Sequence, residues 1–171
     1  MELAYMMVSK TIAERHVGSN PTRGTMDIAR FKALVAGDSG LAVVSIARPD
    51  RTVHSSVTNA GVLPHPRDGH EVVAFVAVGG TRKVPMLREH PHATITLRAG
   101  WQWSAVEGPV ELVGPDDPAD GFEAEAIRVL LRDIFVAAGG THDDWDEYDR
   151  VMLEERRTAV LMTPERCYPS G

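Results

Sequence analysis

Apolar residues along this chain fall mostly in short runs separated by glycine, proline and polar clusters, a pattern of strands rather than of a helical bundle. Residues 41–47 form the first buried run, and 52–59, 71–78, 93–97, 103–113 and 159–162 follow. Arg48-Pro49-Asp50-Arg51 reads as a hairpin turn between the first two runs. The stretch 61–69 contains two prolines and several polar residues and reads as a loop. Gly108-Pro109 is expected to mark a bulge or an edge inside the longest run. The polar strand 52–59 is expected to show Ser56 and Thr58 on one face, with a bulge turning His54 and Ser55 to the other.

Four segments carry the helical period instead. Near 27–36, Ile28, Phe31, Leu34 and Val35 supply a buried side. A short helix is expected near 81–90 and a longer one near 121–138, where Ala126, Ile127, Leu130, Ile134 and Ala137 recur at helical spacing. Gly139-Gly140 stops the latter, and Thr141 with Asp144 three residues on reads as a capping variant before a helix near 143–156. Short strands with Gly- and Pro-rich turns point to an antiparallel barrel, so the expected fold is mainly β with accessory helices. Residues 1–171 are expected to form a single domain, because neither late helix brings a core of its own.

Composition narrows the function classes. A net charge of −6 argues against a general nucleic-acid surface, and no nucleic-acid partner is expected. No run of eighteen apolar residues exists, so no membrane partner is expected either. Residues 1–10 are apolar but lack a basic flank and a small-residue cleavage pattern, which argues against secretion. One cysteine, Cys167, excludes an intrachain disulfide and fits a reducing cytoplasm.

Candidate chemistry centres on residues 79–91. Two glycines release the chain from a strand, then Thr81, Arg82 and Lys83 open the short helix. Cations beside free helix N–H groups favour a phosphate, so a phosphate-bearing cofactor is the leading idea. No Rossmann glycine fingerprint or Walker sequence accompanies them. Trp101 and Trp103 fall on one side of an extended chain, where an indole can cover a ring system or simply pack. Neither Glu107 nor Glu111 is marked as a general acid. His90 with His92, and His142 with Asp143 and Asp144, lack metal-site spacing, so no metal is expected, and Asp143, Asp144, Asp146 and Glu147 suit a helix first turn. No catalytic residue is assigned.

Residues 81–91 resemble the phosphate-binding segment of the pyridoxamine-phosphate-oxidase-like split barrels. More specifically, the chain resembles an actinobacterial flavin/deazaflavin oxidoreductase of the branch that uses coenzyme F420. Supporting segments are 41–45, 55–61 and 101–109, and the resemblance extends through 139–145 and 164–168. It implies an FMN-binding-like split β-barrel and a homodimer with two cofactor clefts at the interface. Thr81, Arg82 and Lys83 would hold the cofactor phosphate, and Ser55, Ser56 and Val57 its phosphate side or ring edge. Asn59 and Trp103 would be ring-side or partner-subunit contacts. True pyridoxamine phosphate oxidases carry basic residues where this chain has Ser55-Ser56-Val57, a departure from that activity. The implied function is hydride transfer between C5 of F420 and a small-molecule electron acceptor. The alternatives are an FMN-dependent oxidase or reductase of the same fold, and a non-catalytic F420- or flavin-binding protein.

Overall fold

Why so many apolar runs lack clean alternation is answered by two cores. In the computed structural model, residues 28–37 and 40–169 are described. After α1 (Ala29–Gly37) come β1 (Leu41–Ala47), β2 (Val53–Pro64) and β3 (Glu71–Ala77). Then follow α2 (Lys83–Glu89), β4 (His92–Ala99), β5 (Gln102–Val113), α3 (Ala124–Ala137), α4 (Trp145–Glu154), β6 (Thr158–Met162) and β7 (Arg166–Pro169). The strands pair antiparallel in the order β4-β1-β2-β3-β6-β5-β7, and a further β4–β5 pairing closes six of them into a barrel. This is a mainly β split barrel with accessory helices.

The barrel interior is filled by Val44, Ile46, Phe75, Ile95, Leu97 and Met162, and α1 and α2 add Phe31, Val84 and Leu87 to that core. A second core lies between the outer side of β3 and β6 and the late helices, with Val72, Ala74 and Leu161 against Leu130, Ile134 and Tyr148. Alternate residues of β3 therefore serve different cores, which makes Val72-Val73-Ala74-Phe75 apolar without a break. Arg128 and Arg132 both bond Asp149, tying α3 to α4, and the Arg132 guanidinium lies 5.2 Å from the Trp145 ring centre.

The two longest strands make the split. Each is 12 residues long and changes partner partway. β2 pairs with β1 through Asn59 and with β3 from Ala60; β5 pairs with β4 through Pro109 and with β6 from Val110. A glycine sits at each exchange. A Cβ on Gly61 would stand 2.4 Å from the Ala137 carbonyl carbon, and one on Gly108 2.0 Å from the Thr163 oxygen. Both glycines let a foreign backbone touch the crossing strand.

Several expectations are corrected here. Residues 61–64 are strand, not loop: Gly61 reads as a breaker, whereas its missing side chain admits the end of α3. Neither Gly108-Pro109 nor the polar strand contains a bulge, since both registers run without interruption. His54 consequently shares a face with Ser56 and Thr58, while Ser55 points the opposite way. Trp101 lies in the turn after Gly100 and is nearly fully exposed, so it does not share a strand face with Trp103. The cap of α4 is Asp144, not Thr141; its carboxylate accepts the amides of Asp146 and Glu147. β7, which the polar C-terminal sequence concealed, adds to β5. Asp27 and the apolar start at 1–10 lie outside the described residues.

Candidate functional site

The first half of β5 is covered along both edges, by β4 and by β7. The first half of β2 pairs only with β1 among the described strands. Ala60 donates its amide to Gly40 on the β1 side (2.8 Å). Strand alternation then directs the backbone groups of Val57 and Ser55 to the opposite edge, where β3 has already diverged. An unpaired edge of this kind is a row of donors and acceptors open to a ligand.

Beyond that edge stand two cations. Gly80, at φ +76°, turns the chain out of β3, and the Gly79 amide donates to Glu155 (3.0 Å). This contact holds the β3–α2 turn against the segment leading into β6. Lys83 at the start of α2 is thereby brought within electrostatic reach of Arg157. α2 is itself fixed by Arg88, whose guanidinium donates two bonds to the Asp117 carboxylate (2.6 and 2.9 Å). Burial lowers the Lys83 pKa below its ordinary range, and repulsion from Arg157 lowers it further. No carboxylate of the described residues offsets these causes. The Lys83 ammonium lies 5.7 Å from the Phe75 ring centre, and Arg157 is bridged to Glu155.

Ser56 completes the polar set. Its hydroxyl is buried and has no hydrogen-bond partner among the described residues. Such a group costs about 1–3 kcal/mol unless something satisfies it. Further along β2 a cavity of about 330 Å³ is lined by Thr58, Asn59, Val76, Phe135, Tyr148 and Arg157, among others. Tyr148 is no proton donor here: burial pushes its pKa up to about 12, and its hydroxyl donates to the Leu131 carbonyl (3.1 Å).

The sequence-derived residues divide into three places. Ser56 lies opposite Val44 on the barrel-facing side of β2, Lys83 stands by Phe75 at the start of α2, and Asn59 is on the cavity wall. Thr81 donates its hydroxyl to the Val78 carbonyl (2.8 Å) and Arg82 is exposed at the start of α2. The Ser55 hydroxyl lies 3.0 Å from that of Ser45 on the outer sheet face, where Val57 is 60% exposed. Trp103, paired with Arg98, is on that same outer face but at β5, so this chain does not bring it to Lys83. Arg157 was missed in the sequence because nothing near Arg156-Arg157 shows that this junction meets α2. The repeated pattern of a basic pair at a strand junction, as at Arg82-Lys83, is the signal that was present.

No family model matches the chain. Solved structures do, and they define the fold as the split β-barrel of pyridoxamine-phosphate-oxidase-like proteins. A conserved hypothetical protein of Mycobacterium tuberculosis matches with a TM-score of 0.60 and 19% identity over 85% of this chain and 84% of that one. A protein described as F420 reductase matches at 0.54 and 15% identity, over 80% and 94% of the two chains. A pyridoxamine 5′-phosphate oxidase-related, FMN-binding protein of Nostoc punctiforme matches at 0.51 and 13% identity, over 82% and 77%. Among the described residues no helix is long and apolar enough to cross a membrane.

Proposed function

We propose that this chain is an oxidoreductase that binds a flavin-type cofactor by its phosphate at the open edge of β2. The observation that carries the reading is Lys83, half-buried beside Arg157 with no carboxylate of the described residues to balance it. An anionic ligand removes that repulsion and supplies the missing counter-charge. The unpartnered Ser56 hydroxyl fits the same group as a donor, and the outward backbone of Val57 fits the polar edge of a planar ring.

FMN is the first reading for the cofactor, since the likeness extends to a protein described as FMN-binding and to others of the oxidase-related kind. F420 is the second, favoured by the sequence segments that resemble the deazaflavin branch and by the likeness to an F420 reductase. Either cofactor, when bound, supplies two-electron chemistry through its ring. The protein's part is to hold the phosphate with Lys83, Arg157 and Ser56, with Thr81 and Arg82 alongside. It also orients the ring on the β2 edge and keeps water from its buried side. No side chain on the cavity wall is a candidate acid, so the reading assigns no catalytic proton donor. The electron acceptor is a small molecule admitted through the open cavity.

A homodimer belongs to this proposal. Leu41, Val43, Val53 and Val57 form an apolar strip on the exposed outer face of β1 and β2, all more than two-fifths exposed. A second copy laid on it would bring its own outer-face residues, Trp103 included, towards the cleft.

Parallel fluorescence titrations of apo-protein with FMN and with F420 test the reading. One of the two is expected to saturate, and Arg82→Ala with Lys83→Ala should weaken it by about 2–5 kcal/mol while the fold is kept. A folded double variant with unaltered affinity for both would sink the phosphate site.

A further inference from the structure

The hairpin between β2 and β3 carries a group of ligand-type side chains that the cofactor reading does not use. His65, Asp68 and His70 each offer one ligand atom, and these atoms all lie within 4.8 Å of one another. We propose that His65, Asp68 and His70 form a site for a divalent transition metal of the zinc type, with one coordination position open to solvent.

The placement of the ring nitrogens around Asp68 carries the argument. The His65 ring is only 5% exposed. Its Nδ1 accepts the Arg67 amide (3.2 Å), and its Nε2 faces the Glu111 carboxylate (3.1 Å). The proton is therefore on Nε2, and the Nδ1 lone pair, which here accepts the Arg67 amide, is the one an ion would take from it. A carboxylate behind the ring, as Glu111 is here, is what orients a metal-binding imidazole. Glu111 is in turn bonded by Arg67 (2.5 Å), so the support is itself supported. His70 carries the opposite tautomer: its Nδ1–H donates to Asp68 Oδ1, and its Nε2 lies 3.1 Å from the Thr163 hydroxyl. An ion bound beside Asp68 would take the place of that Nδ1 proton, which moves to Nε2 and donates to Thr163. Both rings turn Nδ1 towards the same carboxylate, with Nε2 engaged on the far side.

The spacing suits one ion after a small turn of the exposed partner. Ligands about 2.0–2.2 Å from a tetrahedral zinc stand roughly 3.4 Å apart. His65 Nδ1 and Asp68 Oδ1 are 3.7 Å apart, close to that value. His70 is stacked on His65 at 4.9 Å, with planes 8° apart, so its ring must rotate for its lone pair to share an ion with His65. It can do so because its side chain is 39% exposed. Two imidazoles and one carboxylate form an N- and O-donor set suited to zinc, and to cobalt as its spectroscopic stand-in. The open side faces a depression of about 540 Å³ bordered by Glu71, Thr163 and Pro164, with room for a water or a small anionic ligand.

Untagged protein should be titrated with Co²⁺ while visible absorption is followed, and with Zn²⁺ in a calorimeter. One ion per chain and the intense bands of four-coordinate cobalt are expected. Asp68→Asn and His70→Ala, both at exposed positions, should each weaken binding at least ~10-fold without changing the melting temperature of metal-free protein. Glu111→Gln, which acts through His65, should weaken it less. Absence of saturable binding would overturn the site. So would affinity unchanged in both exposed variants, which would leave the cluster as a hairpin clasp alone.

Discussion

β2 and β5 are near-counterparts. Both are twelve residues long, both leave one half-sheet for the other, and both do so at a glycine pressed against foreign backbone. They differ in what lies along the first half. β7 covers the outer edge of β5, and Ser104, Ala105 and Val106 beneath it are buried. No described strand lies along the second edge of the first half of β2, where Val53 and Val57 are exposed and the Ser56 hydroxyl has no partner among the described residues. A barrel closes its edges to avoid stray pairing. In the proposed reading, an edge left open among the described strands near Lys83 and Arg157 converts the same strand geometry from a structural seam into a binding edge.

The harshest way to break the comparison is at the crossings themselves, where the two strands are alike. Gly61→Ala sets a Cβ 2.4 Å from α3 backbone, and Gly108→Ala sets one 2.0 Å from the Thr163 oxygen. Neither neighbour is a flexible side-chain tip. Each variant should lose about 3 kcal/mol of stability. For a chain of this size that is roughly 6–12 °C in melting temperature. Gly37→Ala is the control, because its new atom would meet only the Ala99 Cβ at an ordinary 3.8 Å. Its melting temperature should hold or rise. Tolerance of both crossing substitutions would mean that α3 and the 163–165 connection yield easily, and the split would not depend on the glycines.

How legible these features were in the sequence follows from their range. The 41–47 run and the 48–51 turn involve neighbours only, and the chain states them openly. Gly61 carries the same letter as a loop glycine, and only the approach of α3 from 76 residues further on gives it another meaning. Pro64 and Pro66 reinforced the misreading, although Pro64 is the last residue of the strand and a proline is tolerated at a strand end. On the site side, Lys83 announces itself by standing after two glycines and a threonine. Arg157 does not, since its partner across the cleft is set by the Gly79–Glu155 contact. Ser56 is named by the resemblance as a cofactor ligand, but its burial without a partner among the described residues is visible only once the barrel is closed.

A proline at matched places separates the two edges more sharply. The carbonyl of Glu107 accepts from Glu165 on the β7 side (2.9 Å), so alternation turns the Ala105 amide to β7 as well. Ala105→Pro removes that donor and leaves the facing acceptor on Tyr168 unpaired, costing about 1–3 kcal/mol of stability. Val57→Pro removes an amide that faces the open edge, and should cost less stability than Ala105→Pro. Its loss should appear instead in cofactor affinity, by about 1 kcal/mol in the fluorescence titration. Equal destabilisation by both prolines would show that the β2 edge is occupied by protein after all.

The smallest expected effect tests why Lys83 is there. Lys83→Met keeps the stem over Phe75 and removes a cation that burial and Arg157 both disfavour. The apo-protein should therefore gain a little stability, less than about 1 kcal/mol once solvent screening is counted, while affinity for phosphate-bearing cofactor falls. The sign with pH follows from the same groups. The folded-state pKa of Lys83 lies below its unfolded value, so the unfolded chain binds more protons between the two. Wild-type stability then rises with pH across that alkaline window, and Lys83→Met flattens the rise. Cofactor affinity runs the other way, weakening as Lys83 discharges. Thermal melts and titrations across that window read both slopes. If Lys83→Met lowered apo stability and left the affinity intact, Lys83 would be a packing residue, and Arg157 would need another reason to stand beside it.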